Sequence, residues 1–597
     1  MKRHLYMSNM ILAMLLMAAG CNLMEPDNNP VTYGESYIGY PFLSTDKACY
    51  QPGEAVQLSL TNYPACGVIR YQHLGHVIEE QPVTSAIWTW QPPTTDFQGY
   101  MAELHVNVNG ADQVVACVAI DVSSDPKRFP RNGFLSSYDR MSAQEINRVI
   151  SDLNRYHINY VQFQDWHWKH HHPLGGSSAM PMNEWTDIIS RNCYRATVQG
   201  YIDAAHNRGM STLFYNLAYG ALFDYKDDGV KDEWMIYRDN QHAEHDMHPL
   251  ASPFKSSIFL TNTANSEWRD FLAQQNDEVY KVFSFDGWQI DQLGDREHQN
   301  GKTYTICDYA GNPVNLKETY GPFIQYMKNQ HPTKRLVMNA VSQYGQQGQI
   351  ASAPVDFCYT EVWGPADGYT YDAFRKIISD NNQWSGGKQT VLAAYLNYDK
   401  GNKRGYFNTP GIIMSTAVAM AWGGTILQLG EHMLCNEYFP RNNLSMTAEL
   451  KRYMINYYDF TVAYENLLRP AITSGWYGVD ITSNDGQCTF NQWEPQKGQV
   501  ATVGRHVATG IDVVHLLSYR NATHLDWCDT KGDQGEPDLL SNLNISLPVT
   551  SQPTKVWMAA PDYRGGAAID LTFTYSAGNI QLTLPALKYY SMLVIEY

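Results

Sequence analysis

Apolar and polar residues alternate in short runs at both ends of this chain, while in the middle strand-like runs take turns with stretches of helical period. Near the N-terminus, AVQLSLTNY (residues 55–63), AIWTWQPP (86–93) and YMAELHVNVNG (100–110) are broken by turn residues, the pattern of a β-sandwich. We assign residues 22–125 to an N-terminal immunoglobulin-like sandwich, with DPKRFPRNGF (125–134) as the linker into the next unit. There Ser142 and Glu145 form a capping-box pattern, and Ile146, Val149, Ile150 and Leu153 follow at helical spacing. Eight strand candidates come after it: INYVQFQ (158–164), STLFYN (211–216), SIFLTN (257–262), FDGWQID (285–291), RLVMNA (335–340), FCYTE (357–361), TVLAAYLNY (390–398) and TILQLGE (425–431). Amphipathic stretches such as SEWRDFLAQQNDEVYKVF (266–283) separate most of them. The prediction is an α/β fold, a (β/α)8 TIM-type barrel over 126–470, whose site would be built at the C-terminal ends of the strands. After a helix predicted over 445–468, alternation returns in IDVVHLLSYR (511–520) and IDLTFTYSAGNIQLTLPAL (569–587), so 471–597 reads as a second β-sandwich.

Length and charge narrow the function classes. At 597 residues the chain suits about three to four folded units. A net charge of -17 argues against nucleic acid, because neutralising phosphates takes a basic surface. An uncharged polymer fits better, and 41 Tyr with 15 Trp could supply faces for sugar rings as well as core. Lys2 and Arg3, then an apolar run over 10–19 and small residues, read as an export signal over 1–21. Ala18-Ala19-Gly20-Cys21 resembles a lipoprotein cleavage site, with Ala18 where Leu is usual. Cys21 is therefore the expected lipidation point, and the membrane is touched only through that anchor, on the outer membrane or cell surface; simple secretion or periplasmic residence is the alternative. None of the ten cysteines is spaced as C-x-x-C, and Cys49, Cys66 and Cys117 leave open one disulfide or free thiols.

Two carboxylates stand at the ends of strand candidates: Asp291 closing FDGWQID and Glu361 in VDFCYTEVW (355–363). A pair of acids on different strands is what glycoside hydrolysis needs, one at the sugar cation and one at the departing oxygen. FDGWQIDQLGD (285–295) and YTEVW, with FQDWHWKHHHPL (163–174) and LGEHMLCNEYFP (429–440), resemble glycoside hydrolase family 66, the dextranases and cycloisomaltooligosaccharide glucanotransferases. The resemblance runs in order over about 129–468. It implies an endo-acting, retaining enzyme on α-1,6-glucan such as dextran, with Asp291 as nucleophile and Glu361 as acid/base. No cofactor is needed for that chemistry, and no metal is expected. A monomer is expected. The resemblance also implies that Asp165, with His170 or His171, binds sugar in the cleavage subsite. A structural role for the loop and a metal among its histidines are the competing readings, and adjacent histidines cannot easily face one ion.

Further candidate sugar contacts are Trp166 in the same loop, Trp288 and Gln289 beside Asp291, and Trp363 and Asp367 after Glu361. The rim adds Tyr215, Asn216 and Tyr219, Asn339, Asn397 and Tyr398, and Glu431 and His432. Within the family the alternative is the cyclising transferase, whose members carry an inserted binding module in the barrel. Here about 26 residues separate Tyr398 from Thr425, which favours hydrolysis. A surface glycan-binding lipoprotein without activity is the alternative from another class.

Overall fold

The computed structural model describes residues 41–299, 301–470 and 475–597. The expected export signal and the expected lipidation point at Cys21 lie outside the described residues. Eight parallel strands form the central sheet: β1 (Asn132–Leu135), β2 (Tyr160–Phe163), β3 (Ser211–Leu217), β4 (Gly287–Asp291), β5 (Arg335–Val341), β6 (Cys358–Val362), β7 (Thr390–Ala394) and β8 (Gly424–Ile426). They are hydrogen-bonded in chain order from β1 to β8. The ring closes just past β8, where Phe134 bridges in parallel to Gly430 and its N–H donates to Leu429 O at 3.1 Å. Glycine suits that seam, since a Cβ on residue 430 would stand 2.4 Å from Phe134 O.

Two expectations change here. SIFLTN does not enter the barrel: Ile258–Leu260 pairs antiparallel with Gly220–Ala221 and Met247–His248 in a small sheet within the loop after β3. The missing barrel strand is β1, which begins inside the expected linker and runs one residue past its end. From β4 onward the expected and observed numbering agree, because β1 adds one strand to the barrel and SIFLTN leaves it.

Helices cover the outside: α1 (Ala143–Arg155), α2 (Arg195–His206), α3 (Ser266–Val282), α4 (Tyr320–Gln330), α5 (Asp372–Ser385), α6 (Thr409–Ala421) and α7 (Ala448–Ala463). Ser142 and Glu145 make both bonds of the capping box on α1. Strand parity divides the barrel residues between two layers. Tyr160, Leu213, Val337, Tyr359, Val391 and Tyr395 fill the interior with Phe134 and Phe357, while Val161, Phe163, Phe214, Trp288, Ile290 and Met338 pack in the outer helix layer.

Antiparallel sheets flank the barrel on both sides. At the N-terminal side a three-stranded sheet opposes a four-stranded one around Leu58, Tyr71, Trp90 and Leu104. At the C-terminal side a larger sheet led by Val500–Ala508 and Ile511–Ser518 faces a four-stranded one around Val514, Leu543 and Ile580. Cys49, Cys66 and Cys117 are free thiols, so the disulfide alternative is not realised. Among the described residues, no helix is long and apolar enough to cross a membrane.

Candidate active site

Parity carries the chemistry to one place. On β4 the inward positions are Gln289 and Asp291, on β5 Val337 and Asn339, on β6 Tyr359 and Glu361, and beyond β7 Tyr395. All of these strands point their C-terminal ends the same way. Asn339 joins the two acids: its Nδ2 donates to Asp291 Oδ1 at 2.8 Å and to Glu361 Oε2 at 2.9 Å, while its Oδ1 accepts from the Glu361 N–H at 3.2 Å. Tyr215 Oη donates to the other Asp291 oxygen at 2.7 Å, and the Gln292 N–H donates to Oδ1 at 2.8 Å. Tyr395 Oη donates to Glu361 Oε1 at 2.8 Å.

These contacts split the behaviour of the acids. Burial pushes Asp291 above the ordinary carboxylate range, and three neutral donors, Tyr215, Asn339 and the Gln292 amide, work against it. Glu361 is pushed up to about 7, first by burial and then by the negative charge of Asp291, with Asn339 and Tyr395 only partly offsetting the rise. At neutral pH the site can hold one carboxylate and one carboxylic acid a single amide apart. Asp165, 8 % exposed, is likewise pushed up to about 7, chiefly by burial; Arg191 pulls it down while Asp187 and Asp291 push it up.

Trp363 is half-buried at the mouth, its ring centroid 5.4 Å from Tyr395 and 6.2 Å from Tyr398, and its N–H donates to Asp367 Oδ2 at 2.8 Å. Tyr398 Oη is turned to Glu437 at 2.8 Å. Gln289 lies one step below Asp291 on the inner face, 2 % exposed. On the opposite wall Glu431 Oε1 accepts from Ser136 Oγ at 2.6 Å, and His432 sits edge-on to Phe134.

Several expected sugar contacts are built into the protein instead. Trp288 points outward from β4, against Phe214 and Phe323. Trp166 is fully buried among Trp185, Phe214, Phe283 and Phe285, with its indole N–H spent on Tyr215 O. Asn216 faces outward as well: its Nδ2 donates to His170 O at 2.8 Å and its Oδ1 contacts His170 Nδ1 at 3.0 Å, so both fasten the histidine loop to β3. His171 is fully buried and contacts Asp228 at 2.8 Å, and the Lys169 ammonium lies 2.7 and 2.6 Å from Asp224 and Asp228. Lys169 and His171 thus share the two carboxylates in one ion-pair network that ties the loop after β2 to the loop after β3. Tyr219 supports the turn after Asp291 by accepting the Leu293 N–H at 2.7 Å. Asn397 is turned away from the cleft, with its Nδ2 on Asp529. Tyr395 was not among the expected residues, although counting in twos from Val391 along β7 leads to it.

Comparison with known proteins agrees with this architecture. The model of the family described as "Glycosyl hydrolase family 66" matches residues 45–594. A cycloisomaltooligosaccharide glucanotransferase of Niallia circulans is 24% identical over 92% of this chain and 72% of its own length. A dextranase of Streptococcus salivarius is 21% identical over 78% of this chain, which spans 63% of that longer protein. The crystal structure of a Paenibacillus sp. cycloisomaltooligosaccharide glucanotransferase complexed with cycloisomaltoheptaose superposes with a TM-score of 0.82 at 24% identity, covering 93% of this chain and 100% of that one. With a family match running from the N-terminal sandwich to the last strand, this chain belongs to glycosyl hydrolase family 66.

Proposed function

We propose that the protein is an exported, retaining endo-α-1,6-glucanase of the dextranase type. The observation that carries this reading is Asn339, one nitrogen bonded to both acids. Oxygens held at 2.8 and 2.9 Å from a common atom lie no further apart than those two bonds laid end to end. That proximity supports the close pair of a double displacement, whose carboxyl groups stand roughly 5 to 5.5 Å apart, over the wider pair that lets a water in between. Asp291, the ionised member, attacks the anomeric carbon as the bond to the leaving oxygen breaks. Glu361, the protonated member, gives its proton to that oxygen, and the sugar is left covalently on Asp291. Glu361, now a carboxylate, takes a proton from water, whose oxygen displaces Asp291 and restores both acids. Tyr215 and Asn339 hold Asp291 for in-line attack, and Trp363 with Tyr398 offers an aromatic wall for the sugar.

The linkage rests on the relatives, whose names are dextranase and cycloisomaltooligosaccharide glucanotransferase. Hydrolysis rather than cyclisation is favoured by the short path from β7 to β8, which contains a loop and α6 and no inserted module. Proton NMR of the purified protein with dextran, and separately with starch, tests the reading. New α-anomeric ends released first, from dextran only, are expected. A β-anomer first would exclude retention, and cyclic products without reducing ends would reassign the chain to transfer. Export is tested apart from chemistry: radiolabelled palmitate should enter the wild-type protein and not the Cys21→Ser variant.

A further inference from the structure

A loop of the C-terminal sandwich, residues 519–538, leaves its own domain and lies between the barrel loops that follow β6 and β7. Towards β6, the Trp527 indole N–H donates to Gly368 O at 2.9 Å, the Trp527 N–H to Tyr369 O at 3.0 Å, and the Tyr371 N–H to Leu525 O at 3.2 Å. Towards β7, the Asn397 N–H donates to Cys528 O at 2.8 Å, the Lys400 N–H to Thr530 O at 2.9 Å, and Cys528 Sγ to Tyr395 O at 3.1 Å. Asp529, 1 % exposed, is the centre of this clamp. Its Oδ1 serves its own loop, accepting the N–H groups of Asp533 and Gln534 and contacting His524 Nε2 at 3.1 Å. Its Oδ2 serves the barrel, accepting from Asn397 Nδ2 at 3.1 Å and Asn408 Nδ2 at 2.8 Å. Asn397 is held at a φ of 58°, two residues after Tyr395, and Asn397 Oδ1 accepts the Asn408 N–H at 2.7 Å. On α6, Gly411 makes room: a Cβ there would stand 2.1 Å from Asp529 Oδ2.

We propose that Asp529 is a positioning residue for the acid, fixing the turn after β7 from another domain so that Tyr395 Oη stays on Glu361 Oε1. This rests on the reading of Glu361 as the proton donor. Glu361 is faced by Asp291 from β4, Tyr359 from its own strand, Tyr395 just past β7 and Glu437 from the loop after β8. Asp529 is faced by His524 and Asp533 of its own loop and by Tyr371 before α5. A phenol donating to a carboxylate favours the charged form, so loosening Tyr395 raises the pH at which Glu361 loses its proton.

Asp529→Asn separates the two jobs. The amide oxygen can keep the loop bonds of Oδ1, while the amide nitrogen meets Asn397 and Asn408, two donors, where Oδ2 was an acceptor. The test is kcat and KM on dextran across pH for the full chain, comparing wild type with Tyr395→Phe, Asp529→Asn and the double variant. Tyr395→Phe should move the upper limb of kcat/KM upward by about one pH unit, the scale of one hydrogen bond to a carboxylate. Asp529→Asn should move it the same way, lower kcat about tenfold with KM nearly unchanged, and add nothing in the double variant. Lost activity with an unmoved limb, or effects that add to Tyr395→Phe, would overturn the proposal and leave the Glu361 assignment standing. A limb that Tyr395→Phe itself leaves in place would remove both. Should Asp529→Asn fail to fold, Asn408→Ala decides: a smaller shift of the same sign supports the clamp, and an unchanged limb overturns it.

Discussion

Asn339 is shared by two acids with opposite tasks, so its removal has a distinctive signature. Its Nδ2 stabilises the charged form of both Asp291 and Glu361. Asn339→Ala should therefore move both limbs of the pH profile of kcat/KM upward: Asp291 ionises later, and Glu361 holds its proton past its present value of about 7. Activity on the acid limb falls as a result, whereas Tyr395→Phe shifts the upper limb alone. A pH profile of the alanine variant in which only one limb moves would mean that the amide serves a single acid. Asp291→Asn removes the attacking oxygen while leaving the shape intact, and should lower kcat by at least about 10³-fold with an unchanged circular dichroism spectrum. Near-normal turnover in that variant would show that the sugar is not captured at this residue. Both acids were visible in the sequence, because each ends an apolar strand within a recognisable motif. The bridging amide was visible only as one rim candidate among many.

At the scale of elements, the period of two decides what a tryptophan is for. Trp288 lies one position from the inward Gln289 and three from Asp291, so it must face the helices, where it packs 6.0 Å from both Phe214 and Phe323. Trp288→Ala should cost about 3–5 kcal/mol of stability, read as a lower melting temperature or denaturant midpoint. Trp363, half-buried at the mouth, should behave differently: Trp363→Ala is expected to raise KM for dextran several-fold with little change in melting temperature. If the two variants behave alike, the division into inner and outer layers is wrong. The same alternation is legible in FDGWQID, where parity puts Trp288 on the face opposite Asp291 whatever its aromatic character. The strand count failed for another reason. β1 is four residues long, follows Pro130 and contains Gly133, so it carries almost no local signal; partners from β2 and the Leu429–Gly430 seam make it a strand. SIFLTN carries a strong signal, and it is a strand, but local pattern cannot say which sheet takes it.

Across the whole molecule, buried charge sets how stability responds to pH, and two groups pull in opposite directions. Where the N-terminal sandwich meets the barrel, Asp459 pairs with Arg155 at 2.7 Å, contacts His157 at 2.7 Å and accepts the Ala119 N–H at 2.9 Å; the Arg155 charge and the His157 contact hold its carboxyl below the usual range despite burial. A depressed carboxyl contributes stability that is present above its unfolded value near 4 and lost as pH falls through the folded value. No sequence pattern revealed this joint, since its members lie some 300 residues apart and meet only through tertiary packing. The active site has the reverse sign. Glu361, pushed up to about 7, keeps a proton in the folded protein that the unfolded chain releases near 4.5. The folded state then binds more protons across that window, and stability must fall as pH rises from about 4.5 to about 7. Asp165, also pushed up to about 7, adds to the same loss. Glu361→Gln keeps the shape of the protonated acid and cannot ionise, so its melting temperature should match wild type near pH 4 and exceed it by about 1–3 °C at pH 8. The difference curve should bend between those limits, where catalysis loses its proton donor. A difference that is flat across pH would mean that Glu361 titrates alike in the folded and unfolded chain, and the acid would then have no environmental reason to be protonated at neutral pH.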